Sequence, residues 1–522
     1  MKRCFPALLC AITLSIVPVL AQQHPPVTPA WFLGHVAWED NRNTQASTLE
    51  LVRQYLDHDI PVDGVIVDSP WSTSYNDFIW DGQRYPDPAA MASALNGWGV
   101  KPILWLTGNV NLTSNGMPQD KCDDYDEAIR AGYAINDGKP SKWWKGTGLQ
   151  IDFTNPQARE WFYKRLDRAF TDGFYGLKVD QGEVYFGDPV KTSLGEMSNE
   201  QFRPYYYDAM YDYVTSRKPG LGAIVGRPYS HQRGRHAGIG KLSLGWCGDF
   251  GGDWKGLKLQ IDNIYRSAQM GYGAVGTEVA GFMGARSDRQ QFIRYVQFAA
   301  LTACMINGGE NGGWTNHLPW WHGEDVADIY RYCVTLHREL VPYLFSGIVD
   351  THLNGGSLMP QTSLEEESHM LGNDLFTKAI TSEENTVTFT LPTEGSWIDF
   401  FTGLRYDGGR VVTRTFADTE FPLYVRTGAI LPMRIENEVT GLGDAALAGK
   451  RVFVIYPDGK SSRRFHLPVG EGTDYFDCQV SCDARHRRIT LTSDQASDWV
   501  FIIKGKRTKR VAATGTSLRL KY

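Results

Sequence analysis

The chain has 522 residues, of which 42% are hydrophobic and 21% are charged, and its formal net charge is −6. This length exceeds what one ordinary hydrophobic core organises, so two or three domains are expected in a composition typical of soluble globular proteins. Because the net charge is mildly negative, the composition does not indicate binding to nucleic acid or to an anionic membrane surface.

The N-terminal segment predicts a cleaved secretory signal. After a basic start, an apolar stretch runs from about Phe5 to Leu20, and it is too short to span a membrane. We therefore expect residues 1–21 to be removed from a secreted or periplasmic protein that has no membrane span. Six of the eight cysteines lie beyond this segment, and their number and spacing fit neither a disulfide scaffold nor a zinc site. Cys478 and Cys482 could pair, but their spacing alone does not decide this.

Between residues 28 and 346, short apolar runs alternate with helical patterns. Ala158–Phe170 is one such pattern, because its apolar residues recur at helical spacing. Eight apolar runs separated by helices predict an α/β fold, a parallel (β/α)8 TIM barrel. The eight runs are Phe32–Trp38, Val62–Asp68, Lys101–Leu106, Tyr175–Asp180, Gly222–Arg227, Gly245–Asp249, Gly273–Glu278 and Thr302–Asn307.

Beyond residue 346 the pattern changes to short alternating runs, such as Thr386–Leu391, which are separated by Gly-rich turns. This pattern predicts one or two antiparallel β-sandwich domains after the barrel. We expect a proximal sandwich over residues 347–435 and a distal β domain over residues 436–522.

Acidic side chains end four of the eight apolar runs, namely Asp68, Asp180, Asp249 and Glu278. The C-terminal ends of barrel strands form the active-site face, so these carboxylates are expected to converge. Each alone could be a helix cap or a turn residue, but four together favour a catalytic cleft. Nearby tryptophans offer flat faces that suit sugar rings, and glycosidic cleavage requires one ionised and one protonated carboxylate. The pattern does not indicate which carboxylate has which role. The sequence has no phosphate-binding loop, dinucleotide motif or serine or zinc hydrolase motif that would indicate a different function.

Two motifs resemble the catalytic signatures of glycoside hydrolase family 31. Residues 176–183 read Gly-Leu-Lys-Val-Asp-Gln-Gly-Glu, which is similar to the family's nucleophile motif. Residues 246–249 read Trp-Cys-Gly-Asp, which is similar to the family's Trp-x-Gly-Asp acid/base motif. The resemblance implies a retaining α-glycosidase with Asp180 as nucleophile and Asp249 as general acid/base, acting on a carbohydrate without metal or organic cofactor.

Further motifs keep the family's order from about residue 30 to residue 435. The resemblance implies that Asp68 and Arg227 hold sugar hydroxyls and that Lys178 keeps Asp180 ionised while touching a hydroxyl. It also implies an aromatic wall, although each ring could instead be a buried residue of the barrel rim. The expected wall residues are Trp71, Trp105, Trp144, Trp246 and Phe282.

The sequence departs from the family pattern in three places. Family members usually carry a β-sandwich before the barrel that lends a loop to the site; here Trp38 and Glu39, after the first strand, are candidates to fill that gap, although packing is an equal reading for Trp38. Glu278 stands where the family has an Asp, one methylene shorter, and remains a candidate substrate-binding residue. Gly308 stands where the family has a His that commonly contacts the sugar. These departures concern the sugar and leave the chemistry unchanged.

The expected activity is exo-acting hydrolysis of a terminal non-reducing α-linked sugar by double displacement. Two alternatives stay open: a transglycosylase on the same scaffold, and a non-catalytic carbohydrate-binding protein with a decayed site. The sequence does not distinguish α-glucosides, α-xylosides and α-galactosides as substrates, and it does not indicate the oligomeric state.

Overall fold

The computed structural model describes residues 23–40, 43–180, 186–282, 286–310 and 317–522. The predicted signal segment, residues 1–21, lies outside the described residues. Within these ranges, none of the helices combines the length and the apolar character needed to cross a lipid bilayer.

Eight parallel strands close into a barrel in which each strand pairs with its neighbours in sequence and the last pairs with the first. Each predicted apolar run overlaps one strand, which confirms the (β/α)8 barrel. The strands are continuous apolar segments because a parallel barrel buries both of their faces. They are β1 His35–Asp40, β2 Gly64–Val67, β3 Lys101–Leu106, β4 Gly176–Val179, β5 Ala223–Gly226, β6 Leu244–Trp246, β7 Val275–Val279 and β8 Met305–Glu310.

The helices around the barrel begin at recognisable caps. The Thr44 side chain accepts from the Ser47 amide before α1, and the Asn155 side chain accepts from the Gln157 amide before α4. The helices are α1 Gln45–Asp57, α2 Pro88–Gly97, α3 Tyr125–Ala131, α4 Pro156–Leu166, α5 Asn199–Arg217, α6 Trp254–Gln269, α7 Arg289–Ala299, α8 Glu324–Glu339 and α9 Val341–Asn354.

Short strands also occur in the loops at the C-terminal ends of the barrel strands. A three-stranded sheet follows β3, and two small hairpins follow β4 and β5. Their strands are Asn109–Ser114, Ser141–Trp143, Gly146–Gln150, Val190–Thr192, Gly195–Met197, Tyr229–Ser230 and Gly234–Arg235.

Antiparallel sheets follow the barrel, as predicted. The proximal sheets consist of Thr362–Ser363, Ser368–Leu371, Leu375–Lys378, Thr386–Thr390, Ser396–Asp399, Arg405–Asp407, Val411–Thr415 and Leu423–Arg426. The distal sheet consists of Ile430–Met433, Arg451–Ile455, Lys460–Pro468, Tyr475–Asp483, Arg488–Ile503 and Lys509–Lys521, with one parallel pair of strands. The domain boundary expected at residue 346 falls inside α9, and the one expected at 435 falls after the first strand of the distal sheet.

The distal domain contacts the barrel at the N-terminal ends of the barrel strands. This is the side of the barrel opposite the C-terminal ends of the same strands. The amides of Ala30 and Trp31 donate to the carbonyls of Gly472 and Glu471, each at 3.0 Å. The Glu471 carboxylate also accepts from Lys101 Nζ at 2.6 Å, at the start of β3. A loop of the distal domain is thereby joined to the base of the barrel.

Cys478 and Cys482 are both buried and unpaired. They lie four positions apart on one distal strand, so their side chains share a face but are too far apart along the strand to bond.

Candidate active site

A cavity of about 620 Å³ opens at the C-terminal ends of the barrel strands. This is the face on which (β/α)8 enzymes carry their active sites. Ten of the residues predicted from the sequence line it: Trp38, Asp68, Trp105, Trp144, Lys178, Asp180, Arg227, Trp246, Asp249 and Phe282.

Arg227, directly after β5, connects the two predicted catalytic carboxylates. Its Nε and Nη2 donate to Asp180 Oδ1 at 3.1 and 2.9 Å, and the same Nη2 donates to Asp249 Oδ2. Burial lowers the pKa of Arg227, but the charges of Asp249 and Asp180 outweigh burial, so the pKa is raised above its usual value. A permanent cation therefore lies between the two carboxylates and brings their nearest oxygens close together.

Asp180, directly after β4, is held at both carboxylate oxygens. Arg227 donates to Oδ1, and the Trp105 indole Nε1 donates to Oδ2 at 3.1 Å. The Asp180 amide donates to the carbonyl of Leu106 at 3.0 Å, which continues the pairing of β3 with β4. Hydrogen bonds to both oxygens favour the ionised form that a nucleophile needs and fix its orientation. The last three residues of the nucleophile motif, 181–183, lie outside the described residues.

Lys178 forms a buried ion pair with Asp68 beside the nucleophile. Its Nζ lies 2.7 Å from Asp68 Oδ2, and each side chain is 4% exposed. The ammonium also lies over the rings of Trp38, at 3.6 Å, and Trp246, at 4.5 Å. Burial lowers the pKa of Lys178, but the neighbouring carboxylates more than reverse this, so its pKa is raised. The site thus holds a second fixed cation.

The turn that carries Asp249 after β6 has an unusual backbone. Asp249 has φ +67°, in the left-handed region that side chains other than glycine seldom adopt. Its amide donates to Glu278 Oε2 at 3.0 Å. A Cβ on the preceding Gly248 would lie 2.0 Å from Trp246 Nε1, so the turn requires glycine at that position. Glu278 and Gly248 together allow the tight turn that directs Asp249 into the cavity.

Glu278 is fully buried, and burial together with the negative charge of Asp249 raises its pKa to about 8. Glu278 is not among the residues that line the cavity, and its carboxylate instead supports the turn that carries Asp249. Trp71 does not line the cavity either: it is 1% exposed, and its Nε1 donates to the Trp105 carbonyl at 2.8 Å. Glu39 does not line the cavity either, because side chains alternate along β1 and its neighbours Trp38 and Asp40 face inward.

The cavity is also lined by residues that were not predicted from the sequence as site residues. Several come from the segment after β5, which contains the hairpin of Tyr229–Ser230 and Gly234–Arg235. Their position in a loop that follows a barrel strand is the one signal that pointed to them. The added residues are Asp40, Ser69, Lys145, Tyr229, Ser230, Gln232, Arg233, His236, Cys247, Gly248, Phe250 and Asn263.

Within the described residues, no three or more His, Cys, Asp or Glu side chains cluster in a way that could hold a metal ion.

The fold and the cavity are those of a barrel glycoside hydrolase, and the comparisons identify the family. Residues 25–347 match the glycosyl hydrolases family 31 TIM-barrel domain, and residues 357–431 match the glycosyl hydrolase family 31 C-terminal domain. The first match alone covers more than half of the chain, so the chain belongs to glycosyl hydrolase family 31.

Curated relatives and solved structures agree with this assignment. An alpha-xylosidase of Emericella nidulans is 27% identical over 79% of this chain and 54% of its own length, and an isomaltosyltransferase of Sporosarcina globispora is 25% identical over 76% and 39%. A cycloalternan-forming enzyme from Listeria monocytogenes superposes with a TM-score of 0.81 at 22% identity, over 92% of this chain and 49% of that one. The chain spans about half the length of the curated relatives that it matches.

Proposed function

We propose that the protein is a retaining α-glycosidase in which Asp180 is the nucleophile and Asp249 is the general acid/base. The observation that carries this proposal is the single nitrogen, Arg227 Nη2, to which both carboxylates accept. Two hydrogen bonds through one atom limit the separation of the nearest oxygens to about 6 Å. Retaining enzymes need carboxyl groups about 5–5.5 Å apart, whereas inverting enzymes need about 6.5–9.5 Å for an intervening water.

The reaction follows from these positions. In the first step Asp180 Oδ attacks the anomeric carbon as the bond to the leaving oxygen breaks, and Asp249 gives its proton to that oxygen. In the second step Asp249 takes a proton from water, which attacks the anomeric carbon and releases Asp180 from the glycosyl ester. Two inversions leave the α-configuration unchanged. Arg227 and Lys178 remain cationic throughout and stabilise the carboxylates on either side of the sugar.

The proposed substrate is the terminal non-reducing α-linked sugar of an oligosaccharide or glycoside. The cavity volume of about 620 Å³ falls within the range of small-molecule sites. The buried Lys178–Asp68 pair offers charge-assisted hydrogen bonds to sugar hydroxyls, and Trp38, Trp246 and Phe282 offer apolar faces. These groups support a neutral sugar ring as the occupant.

The second candidate activity is transfer of the glycosyl group to a sugar acceptor. The similarity to an isomaltosyltransferase supports this candidate. The two reactions share the first step and differ in the acceptor of the second. Product analysis at rising concentrations of a sugar acceptor separates them, since transfer gives products longer than the substrate. The hydrogen bonds that Arg227 donates to both Asp180 and Asp249 argue against a decayed, non-catalytic site.

The test of the proposed nucleophile is chemical rescue of Asp180→Ala. The variant is expected to lose hydrolysis of an aryl α-glycoside and to form the β-glycosyl azide when azide is added, because azide takes the place left by the carboxylate. Asp167→Ala is the matched control, since Asp167 is a partly exposed carboxylate whose partner is Arg217. Full activity of Asp180→Ala would reject the assignment, and an α-glycosyl azide would mean that the nucleophile is still present and that Asp180 is not it.

We also propose that the protein is exported, to the periplasm or out of the cell, after cleavage near residue 21. The basic start and the short apolar stretch of residues 5–20 support this proposal. N-terminal sequencing of the protein from fractionated cells tests it. An N-terminus close to Gln22 in an exported fraction is expected, and an intact Met1 on protein confined to the cytoplasm would contradict it.

A further inference from the structure

His236 lies beside the arginine that joins the two catalytic carboxylates. After the hairpin that follows β5, the chain doubles back: the His236 amide donates to the Pro228 carbonyl at 2.9 Å, and the Ala237 amide donates to the Arg227 carbonyl at 3.1 Å. This pairing fixes the backbone of His236 next to Arg227. His236 also lines the same cavity as Asp180 and Asp249.

The His236 imidazole is buried without a hydrogen-bond partner. It is 1% exposed, and neither Nδ1 nor Nε2 has a partner in the described parts of the chain. Buried polar groups are nearly always hydrogen-bonded, so an unpartnered ring on a cavity wall indicates a group that is satisfied by a ligand.

The surroundings of the His236 ring favour an uncharged ligand group as its hydrogen-bond partner. Burial and the nearby guanidinium groups of Arg203, Arg227 and Arg233 lower the pKa of His236 well below its usual value. The ring is therefore neutral, with one nitrogen that donates and one that accepts. A sugar hydroxyl also donates and accepts, so it complements a neutral imidazole on the wall of this cavity.

We infer that His236 binds a hydroxyl of the sugar whose anomeric carbon faces Asp180, and that it helps to determine which sugar is accepted. The inference rests on the proposed glycosidase function. The family pattern leads us to expect a histidine at position 308, in β8, where this chain has glycine. His236 supplies an imidazole to the same cavity from the loop after β5 instead.

The test compares His236→Phe with the wild type on the best aryl α-glycoside and on its monodeoxy analogues. Removing one partner of a substrate hydrogen bond is expected to lower kcat/KM on the parent glycoside by about 10–100-fold. One monodeoxy analogue should be a poor substrate for the wild type, and His236→Phe should no longer distinguish that analogue from the parent. His236→Gln, whose amide both donates and accepts, should recover part of that discrimination.

His317→Phe is the matched control, because His317 is also fully buried and both of its ring nitrogens lack a partner among the described residues, but it does not line the cavity. It should keep the wild-type ranking of analogues even if its thermal stability falls. An unchanged ranking for both His236→Phe and His236→Gln would overturn the role of His236 and leave the glycosidase intact. A wild type that turns over no α-glycoside of the panel would overturn the proposed function and this inference with it.

Discussion

Trp38 fills the space into which a side chain at position 308 would project. The two residues are partners in the pairing of β1 with β8. A Cβ on Gly308 would lie 2.2 Å from Trp38 Cδ1 and 2.3 Å from the Trp38 carbonyl oxygen. The indole is held in place by Phe282, with ring centroids 5.4 Å apart, and by the ammonium of Lys178. Trp38 therefore occupies the part of the cavity wall into which a histidine at position 308 would project.

Gly308→Ala is expected to destabilise the protein by about 1–3 kcal/mol, because the new methyl group would overlap both the ring and the backbone of Trp38. The free energy of unfolding in urea measures this. Gly97→Ala at the end of α2 is the control, since a Cβ there meets nothing within 4 Å. Equal free energies of unfolding for the two variants would contradict the prediction, because the cavity wall would then rearrange around the new methyl group at little cost.

Arg227→Lys is expected to lower kcat/KM by about 10²–10³-fold. An ammonium keeps the charge but cannot reproduce the fork that contacts Asp180 and Asp249 together. Arg217→Lys is the control, because Arg217 makes a two-pronged contact with Asp167 on the surface. Steady-state kinetics on an aryl α-glycoside should show no loss for the control; a similar small effect for both variants would mean that charge alone suffices at position 227.

Glu278→Gln is expected to change how stability depends on pH. The folded-state pKa of Glu278 is raised from 4.5 to about 8, so the folded protein retains a proton that the unfolded chain gives up. The stability from this group is complete below about pH 4.5 and is lost as pH rises to about 8. The wild type should therefore lose stability relative to Glu278→Gln across that window.

Thermal unfolding at intervals between these pH values checks the prediction. Glu160→Gln, on the exposed side of α4, is the control for removing one carboxylate. A constant difference between the wild type and Glu278→Gln over the whole window would mean that Glu278 is ionised in the fold.

Trp144→Ala is expected to raise KM for an α-linked oligosaccharide by up to about tenfold, with little change in kcat on a small aryl glycoside. Trp144 is 39% exposed while lining the cavity, which suits it to stack on a sugar beyond the one that reacts. Trp321→Ala removes a ring that is 47% exposed but does not line the cavity, and it should leave both constants unchanged. An equal rise in KM for the aryl glycoside would place Trp144 at the reacting sugar instead.

The barrel could be predicted from the sequence because strands buried on both faces are continuous apolar runs, and Asp180 could be found because it ends such a run. The lining of the cavity could be predicted only in part. Glu278 and Trp71 stand at expected positions, yet neither lines the cavity, because one side chain supports a turn and the other bonds to a neighbouring carbonyl. No motif pointed to His236, because its place in the cavity depends on a loop that doubles back onto Arg227.

The join between Ala30 and Gly472 at the base of the barrel limits how this enzyme can change by recombination. The first turn before β1 takes its backbone hydrogen bonds from a loop of the distal domain, more than 400 residues later in the chain. Replacing the C-terminal region by that of a relative would remove those partners along with the ion pair at Lys101. The barrel and its distal domain are therefore coupled at this joint, although every residue that lines the cavity belongs to the barrel.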